Sequence, residues 1–221
     1  MFVSDVISEY FDLNHAEPVP VEELDKPCTE AYYLPMHAVR KETSSTSKIR
    51  VVFDASVTTT SGTSLNDQLL VGPTVHSSLV DVLLRFRQHK VALTADVSRM
   101  YRAVLLPKEQ RDLHRFLWRE DPHQPVKDYR MTRLTFGVSA SSFAANMALK
   151  QNAINHIQSH PQAYQAVIKS FYVDDGLTGA DSEDEAIRLR EHFSIFSILV
   201  ASNLESGNLV VEKCYQAFRK I

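Results

Sequence analysis

Ile168-Lys169-Ser170-Phe171-Tyr172-Val173-Asp174-Asp175-Gly176-Leu177-Thr178-Gly179 is the stretch from which the fold is read. An apolar, aromatic and β-branched run climbs to two adjacent carboxylates, a glycine follows, and a second short apolar run leaves. Asp-Gly between such flanks predicts strand, tight turn, strand. Neighbouring residues inside a strand point to opposite faces, so two adjacent aspartates share a target only at a turn. The reading therefore sets both carboxylates near the hairpin tip. Alone, such a tip is either a solvated turn chosen for its backbone preference or a seat for a hard divalent cation that takes oxygen ligands.

Outward from the hairpin, Val91-Ala92-Leu93-Thr94-Ala95-Asp96-Val97 predicts a short strand with one carboxylate near its C-terminal end. That acid either serves a site or caps the next turn of chain. Residues 140–156 are rich in small side chains (Ala144, Ala145, Ala148) and predict a long, closely packed helix. Gly137 ahead of it permits a backbone approach that a side chain would block. Glu183 to Val200 predicts an amphipathic helix, and Leu209 to Val211 a strand. Strand, helix, hairpin, helix suggests a split β-α-β core of ferredoxin-like type. Its central strands would bring Asp96 beside Asp174, and the chemistry turns on that meeting.

Composition bounds the rest. The chain has 221 residues, 44% apolar and 23% charged, with a net charge of -3, in the range of an ordinary globular protein. No apolar run approaches ~18 residues, so no membrane span is expected. Cys28 and Cys214 form no framework, and reduced thiols in an intracellular protein are expected. No zinc-ligand cluster is legible among the nine histidines. Acids crowd residues 1–30, whereas Arg85, Arg87, Lys90, Arg99, Arg102, Lys108, Arg111, Arg115 and Arg119 make a basic middle. Such a middle is either a solvated face or a surface that neutralises phosphates.

Residues 1–27, acidic and punctuated by Pro18, Pro20 and Pro27, read as a linker or lead-in with a short helix at Val3 to Phe11. A basic hairpin comes next: an arm at Tyr32 to Val39, a polar loop from Lys41 to Lys48, and a strand at Lys48 to Asp54. It carries Arg40, Lys41, Lys48 and Arg50. Ser64-Leu65-Asn66-Asp67 begins a helical turn. Ser78 to His89 reads as an amphipathic helix with Leu79, Val82, Leu83 and Phe86 inward. Phe116 to Glu120 and Asp128 to Leu134 read as two strands.

These pieces, in this order, resemble the fingers and palm of a reverse transcriptase, and more narrowly the polymerase domain of Bel/Pao-type long-terminal-repeat retrotransposons. The resemblance rests on Tyr33-Leu34-Pro35-Met36-His37-Ala38-Val39, Ile49-Arg50-Val51-Val52-Phe53-Asp54-Ala55-Ser56, and Ser64-Leu65-Asn66-Asp67-Gln68-Leu69. Leu70-Val71-Gly72-Pro73, Leu84-Arg85-Phe86-Arg87 and Ala95-Asp96-Val97-Ser98-Arg99-Met100-Tyr101 continue it. Phe136-Gly137-Val138-Ser139-Ala140-Ser141 and Tyr172-Val173-Asp174-Asp175 complete it. The set covers about residues 30–195.

The resemblance implies an α+β fold: right-hand polymerase fingers plus a ferredoxin-like palm, an antiparallel sheet with helices on one face, with the thumb absent. Fingers are expected at about 28–90 and 107–137, palm at about 91–106 and 138–221. It implies an RNA-directed DNA polymerase. Asp96 and Asp174 would bridge two Mg2+ (or Mn2+) ions, Asp175 would be a weaker ligand, and Val97 would lend its backbone carbonyl. Tyr101 matches the residue that rejects a 2'-hydroxyl, Arg50 and Lys41 match triphosphate-holding positions, and Phe136 and Gly137 line the nucleotide pocket. Implied partners are a primed RNA or DNA template, dNTP, and a polyprotein with protease, ribonuclease H and integrase, acting in cytoplasm and nucleus. His37 and Ser142 depart from the pattern, and the segment expected to finish the palm is not found after Ile198. The expectation is thus a truncated or decayed copy, or one exon of a polyprotein. The competing functions are an inactive remnant that binds nucleic acid or a partner, and a two-metal phosphodiesterase.

Overall fold

Turn chemistry and strand pairing explain most of the architecture, seen in a computed structural model that describes residues 2–40, 49–97 and 99–192. In chain order the elements are α1 (Val3–Asp12), β1 (Ala16–Pro18), β2 (Met36–Arg40), β3 (Ile49–Phe53), α2 (Leu65–Gln68) and α3 (Leu79–Phe86). After these come β4 (Val91–Asp96), α4 (Met100–Ala103), β5 (Arg115–Trp118), β6 (Lys127–Met131), α5 (Ser141–Asn155), α6 (Pro161–Ser170), β7 (Phe171–Tyr172) and β8 (Asp175–Ala180). Short 3-10 helices occupy Val21–Glu23 and Lys108–His114, and residues 183–192 are helical. The class is α+β. Among the described residues three small sheets, ordered β1-β6-β5, β2-β3 and β4-β8-β7, pair antiparallel throughout. The chain divides into two compact units, residues 2–71 with 105–141 and residues 72–104 with 142–192.

The first unit is built on aromatic packing. Phe116 is fully buried, meeting Phe53 edge-on at 5.4 Å and stacking on Tyr129 at 5.8 Å. Phe11 of α1 reaches the same tyrosine at 4.7 Å, and Ile7 is fully buried. Ring pairs at these separations add to the apolar area they bury. Residues 1–27 are therefore not a linker over their described part. β1 pairs residue by residue with β6, Ala16 to Met131 through Pro18 to Tyr129, and α1 packs on β3. Proline suits β1 because that strand lies at the sheet's edge, where a missing N–H costs no ladder bond. α2 starts as a reciprocal cap: Asp67 N–H donates to Ser64 Oγ at 3.2 Å, and Ser64 N–H donates to the Asp67 carboxylate at 2.8 Å.

The second unit carries the split arrangement. β8 lies between β4 and β7 and runs antiparallel to both, so β4 and β7 run parallel, joined through α5 and α6. α3 and α6 touch each other and both touch β8, so they share one face of this sheet. α5 buries Ala144, Ala145, Ala148, Leu149 and Ala153, the small-residue face expected of it. Pro161 opens α6, where its missing N–H is one that no helix would use.

Three expectations are corrected. α3 buries Val82 but leaves Leu79 at 42% and Leu83 at 43% exposure, so apolar spacing overstated its inward face. Residues 72–90 group with the second unit rather than with the hairpin-bearing first. Arg111 and Arg115 of the basic middle are spent on carboxylates inside the first unit rather than offered to phosphates. The loop at 41–48, the helix beyond 192, the strand at 209–211 and the end of the palm lie outside the described residues.

Candidate active site

The register of the β4-β8-β7 sheet assembles the acidic cluster. Asp96, last residue of β4, stands directly opposite Asp175, first residue of β8. Opposed residues of an antiparallel pair project to the same face, with Cβ atoms about 4.5–5.5 Å apart. The turn between β7 and β8 is Val173-Asp174, not Asp175-Gly176 as Asp-Gly propensity suggested. Val173 takes φ 58° and Asp174 keeps a negative φ, the sign pattern of a type II' turn. Gly176 is instead a strand residue covered by its cross-strand partner: a Cβ there would lie 2.7 Å from the Phe171 ring. Asp174 sits at the tip, and its carbonyl accepts from Val97 N–H at 3.0 Å, fastening the tip to the end of β4.

Charge then concentrates at that end of the sheet. Although Asp96 is largely open to solvent, partial desolvation, then the charges of Asp174 and Asp175, push its pKa up from the ordinary carboxylate value. Mutual repulsion of this kind marks a place where a cation would be welcome. Among the described residues no group of three or more His, Cys, Asp or Glu side chains is arranged to hold a metal ion outright. The donor set is oxygen only, which suits a hard ion such as Mg2+ and not zinc. The Val97 carbonyl already accepts from Met100 N–H at 3.2 Å, which leaves it one lone pair. The chain then turns through Arg99 at φ 55° into α4, which carries a half-buried Tyr101.

The remaining expected residues belong to the first unit. Arg50 lies on β3, exposed, paired across the hairpin with Val39. Lys41 lies outside the described residues. Phe136 is 49% exposed beside Gly137, whose φ is 93°. A Cβ on Gly137 would fall 1.9 Å from the Phe53 carbonyl oxygen, so the close backbone approach expected there is to β3. Asn66 stitches the same corner, donating to Ser56 Oγ at 2.8 Å and Gly137 O at 3.0 Å while accepting from Ser139 N–H at 2.8 Å.

Sequence reasoning missed the most buried charges. Asp112 of the 3-10 helix and Arg115, first residue of β5, are 2% and 0% exposed and pair at 2.9 Å. Asp112 also meets Arg130 at 3.0 Å and Lys26 at 2.6 Å. Glu17 holds Arg130 at 2.8 Å and Arg111 at 3.1 Å. Burial alone would raise the Asp112 pKa, but hydrogen bonds from Lys26, Arg115 and Arg130 hold it far below the usual carboxylate range. The available signal was the i, i+3 spacing of Asp112 and Arg115, together with the acid excess near the N-terminus. The protein matches no protein-family model and no curated protein. Among the described residues no helix is long and apolar enough to cross a membrane.

Proposed function

We propose that this chain is the fingers-and-palm part of an RNA-directed DNA polymerase of the Bel/Pao retrotransposon type. The observation that carries the reading is the register of β4 against β8, with Asp96 opposite Asp175 and Asp174 fastened to Val97 at the same sheet end. Support also comes from the split β-α-β order of the second unit, which is the arrangement a right-hand palm uses. Nucleotidyl transfer asks for positioning and charge stabilisation rather than covalent help, so carboxylates and a few cationic side chains suffice.

In this reading Asp96 and Asp174 hold the metal pair and Asp175 assists. Mg2+ or Mn2+, when bound, supplies activation of the primer 3'-hydroxyl and stabilisation of the leaving pyrophosphate. The chain's own residues do the rest. The positive φ of Val173 and the Val97–Asp174 bond fix where the tip carboxylate stands. Tyr101 selects deoxynucleotides by bulk, Arg50 and Lys41 hold the triphosphate, and Phe136 and Gly137 border the nucleotide pocket. The test is primer extension on an RNA template with Mg2+, comparing wild type with Asp96→Asn and Asp174→Asn. Extension by wild type and its loss in both variants is expected. Extension that survives both substitutions sinks the site; none by wild type favours an inactive remnant.

A further inference from the structure

β7 is two residues long and, among the described residues, pairs on one side only, with β8. A strand so short is marginal on its ladder bonds alone. The acidic turn nonetheless grows directly from it. Tyr172 immediately precedes Val173-Asp174 and lies in one cross-strand row with Asp175 and Asp96. Side chains from residues 76–85 supply what the ladder lacks. The carbonyls of Ile168 and Lys169, in the last turn of α6, have no partner within the helix itself. Ser77 Oγ–H donates to Ile168 O at 3.3 Å. Arg85 donates to Lys169 O through Nε at 3.1 Å and through Nη2 at 2.5 Å. The root of the hairpin is thereby fastened from outside.

His76, from the same segment, reaches one step further along the chain. Its ring meets that of Tyr172 edge to face, with centres 4.6 Å apart and planes at 69°. Its Nδ1–H donates to Ser77 O at 3.0 Å, so the imidazole is oriented by its own loop and not by the hairpin. Both rings are half-buried. Ring pairs in this geometry add to the apolar area they bury. Tyr172 precedes the turn and stands opposite Asp175, so its placement sets where both carboxylates of the hairpin stand. We propose that His76 is a positioning residue for the acidic turn, holding Tyr172 and through it Asp174 and Asp175 in the geometry that receives a divalent ion. The proposal rests on the reading of Asp96, Asp174 and Asp175 as the seat of that ion.

The full chain is titrated with Mn2+, and the free ion is counted by electron paramagnetic resonance. Wild type is expected to bind and Asp96→Asn to lose binding. His76→Leu, which keeps much of the volume but not the ring, is expected to weaken binding by about threefold to tenfold. His76→Phe restores the ring and is expected to bind within about twofold of wild type. In a Tyr172→Leu background, His76→Leu is expected to have no further effect, because its route to the carboxylates is gone. A Mg2+ titration of wild type followed by NMR needs no variant to fold: the His76 ring signals are expected to shift with the same midpoint as the Asp174 amide. Absence of wild-type binding at Asp96 sinks the metal reading and this proposal with it. Wild-type binding that His76→Leu leaves intact, or that His76→Phe fails to restore, overturns the proposal alone. So does weakening that persists without Tyr172, or a His76 ring indifferent to Mg2+.

Discussion

At Asp96 the sheet register sets one carboxylate directly across from another, with a third on the neighbouring turn, an arrangement that costs stability whenever all are ionised. A pKa raised on folding means that the folded protein binds the proton more readily than the unfolded chain. The contribution is fully favourable below the unfolded carboxylate value of about 4 and is lost as pH rises through the raised one. Asp96→Asn is therefore expected to raise Tm at pH 7, with the gain shrinking as pH falls to about 4, and under the proposed polymerase function to abolish primer extension. Millimolar Mg2+ is expected to raise the wild-type Tm more than that of the variant. A variant less stable than wild type at pH 7 would show that repulsion does not dominate there. Gly137 makes the opposite case, where a residue is required by fit alone. With φ 93° and a carbonyl oxygen 1.9 Å from any Cβ, Gly137→Ala must displace β3 backbone, not merely a side-chain tip. A loss of about 2–4 kcal/mol is expected in urea unfolding. A loss under about 0.5 kcal/mol would mean that the corner yields freely.

The β7–β8 hairpin shows what element-level reading delivers and where it stops. Its two strands were legible because β-branched and aromatic residues flank a turn signal. The turn itself was misplaced by two residues, because local Asp-Gly preference lost to pairing. Phe171 covers Gly176, and Tyr172 pairs with Asp175, so the loop must fall on Val173-Asp174. Meeting the β4 ladder at Asp96 fixes the same register from the other side. α3 was overcalled inward for a related reason: periodicity states which residues share a face, not whether a partner covers that face. The cost of the hairpin's solution sits on Val173, a β-branched residue at φ 58°. Such a residue carries strain of about 1–3 kcal/mol. Val173→Gly is expected to stabilise the protein by about 1 kcal/mol, after the greater chain entropy of glycine is set against the relief. Because the strained turn also holds Asp174 in place, the proposed polymerase function has the more stable variant extending primers more slowly. A urea midpoint below wild type would show that the turn is not strained as its dihedral indicates.

Across the molecule the decisive contacts join residues that no local pattern connects. Glu17 and Arg130 are 113 positions apart, which is why an acidic, proline-marked N-terminal stretch reads as a lead-in yet folds as part of a sheet. Ion pairs to Glu17 and Asp112 likewise engage Arg111 and Arg115, two members of the basic middle that charge counting leaves open to phosphates. Its stability consequence is set by Asp112. A carboxylate whose pKa is depressed on folding contributes stability that is complete above the unfolded value of about 4. That contribution is lost progressively as pH falls toward the folded value. Asp112→Asn keeps the shape and removes the charge, leaving Arg115 buried at 0% exposure with no carboxylate at 2.9 Å. Breaking one side of a buried pair costs about 3–5 kcal/mol. The variant is expected to lose that much at pH 7 by chemical denaturation, and to show a shallower decline between pH 4 and pH 2 than wild type, since the proton that unfolding would take up there is gone. Parallel pH profiles for the two proteins would mean that acid unfolding is driven by other carboxylates and that the Asp112 cluster does not tie the N-terminal strand to the sheet energetically.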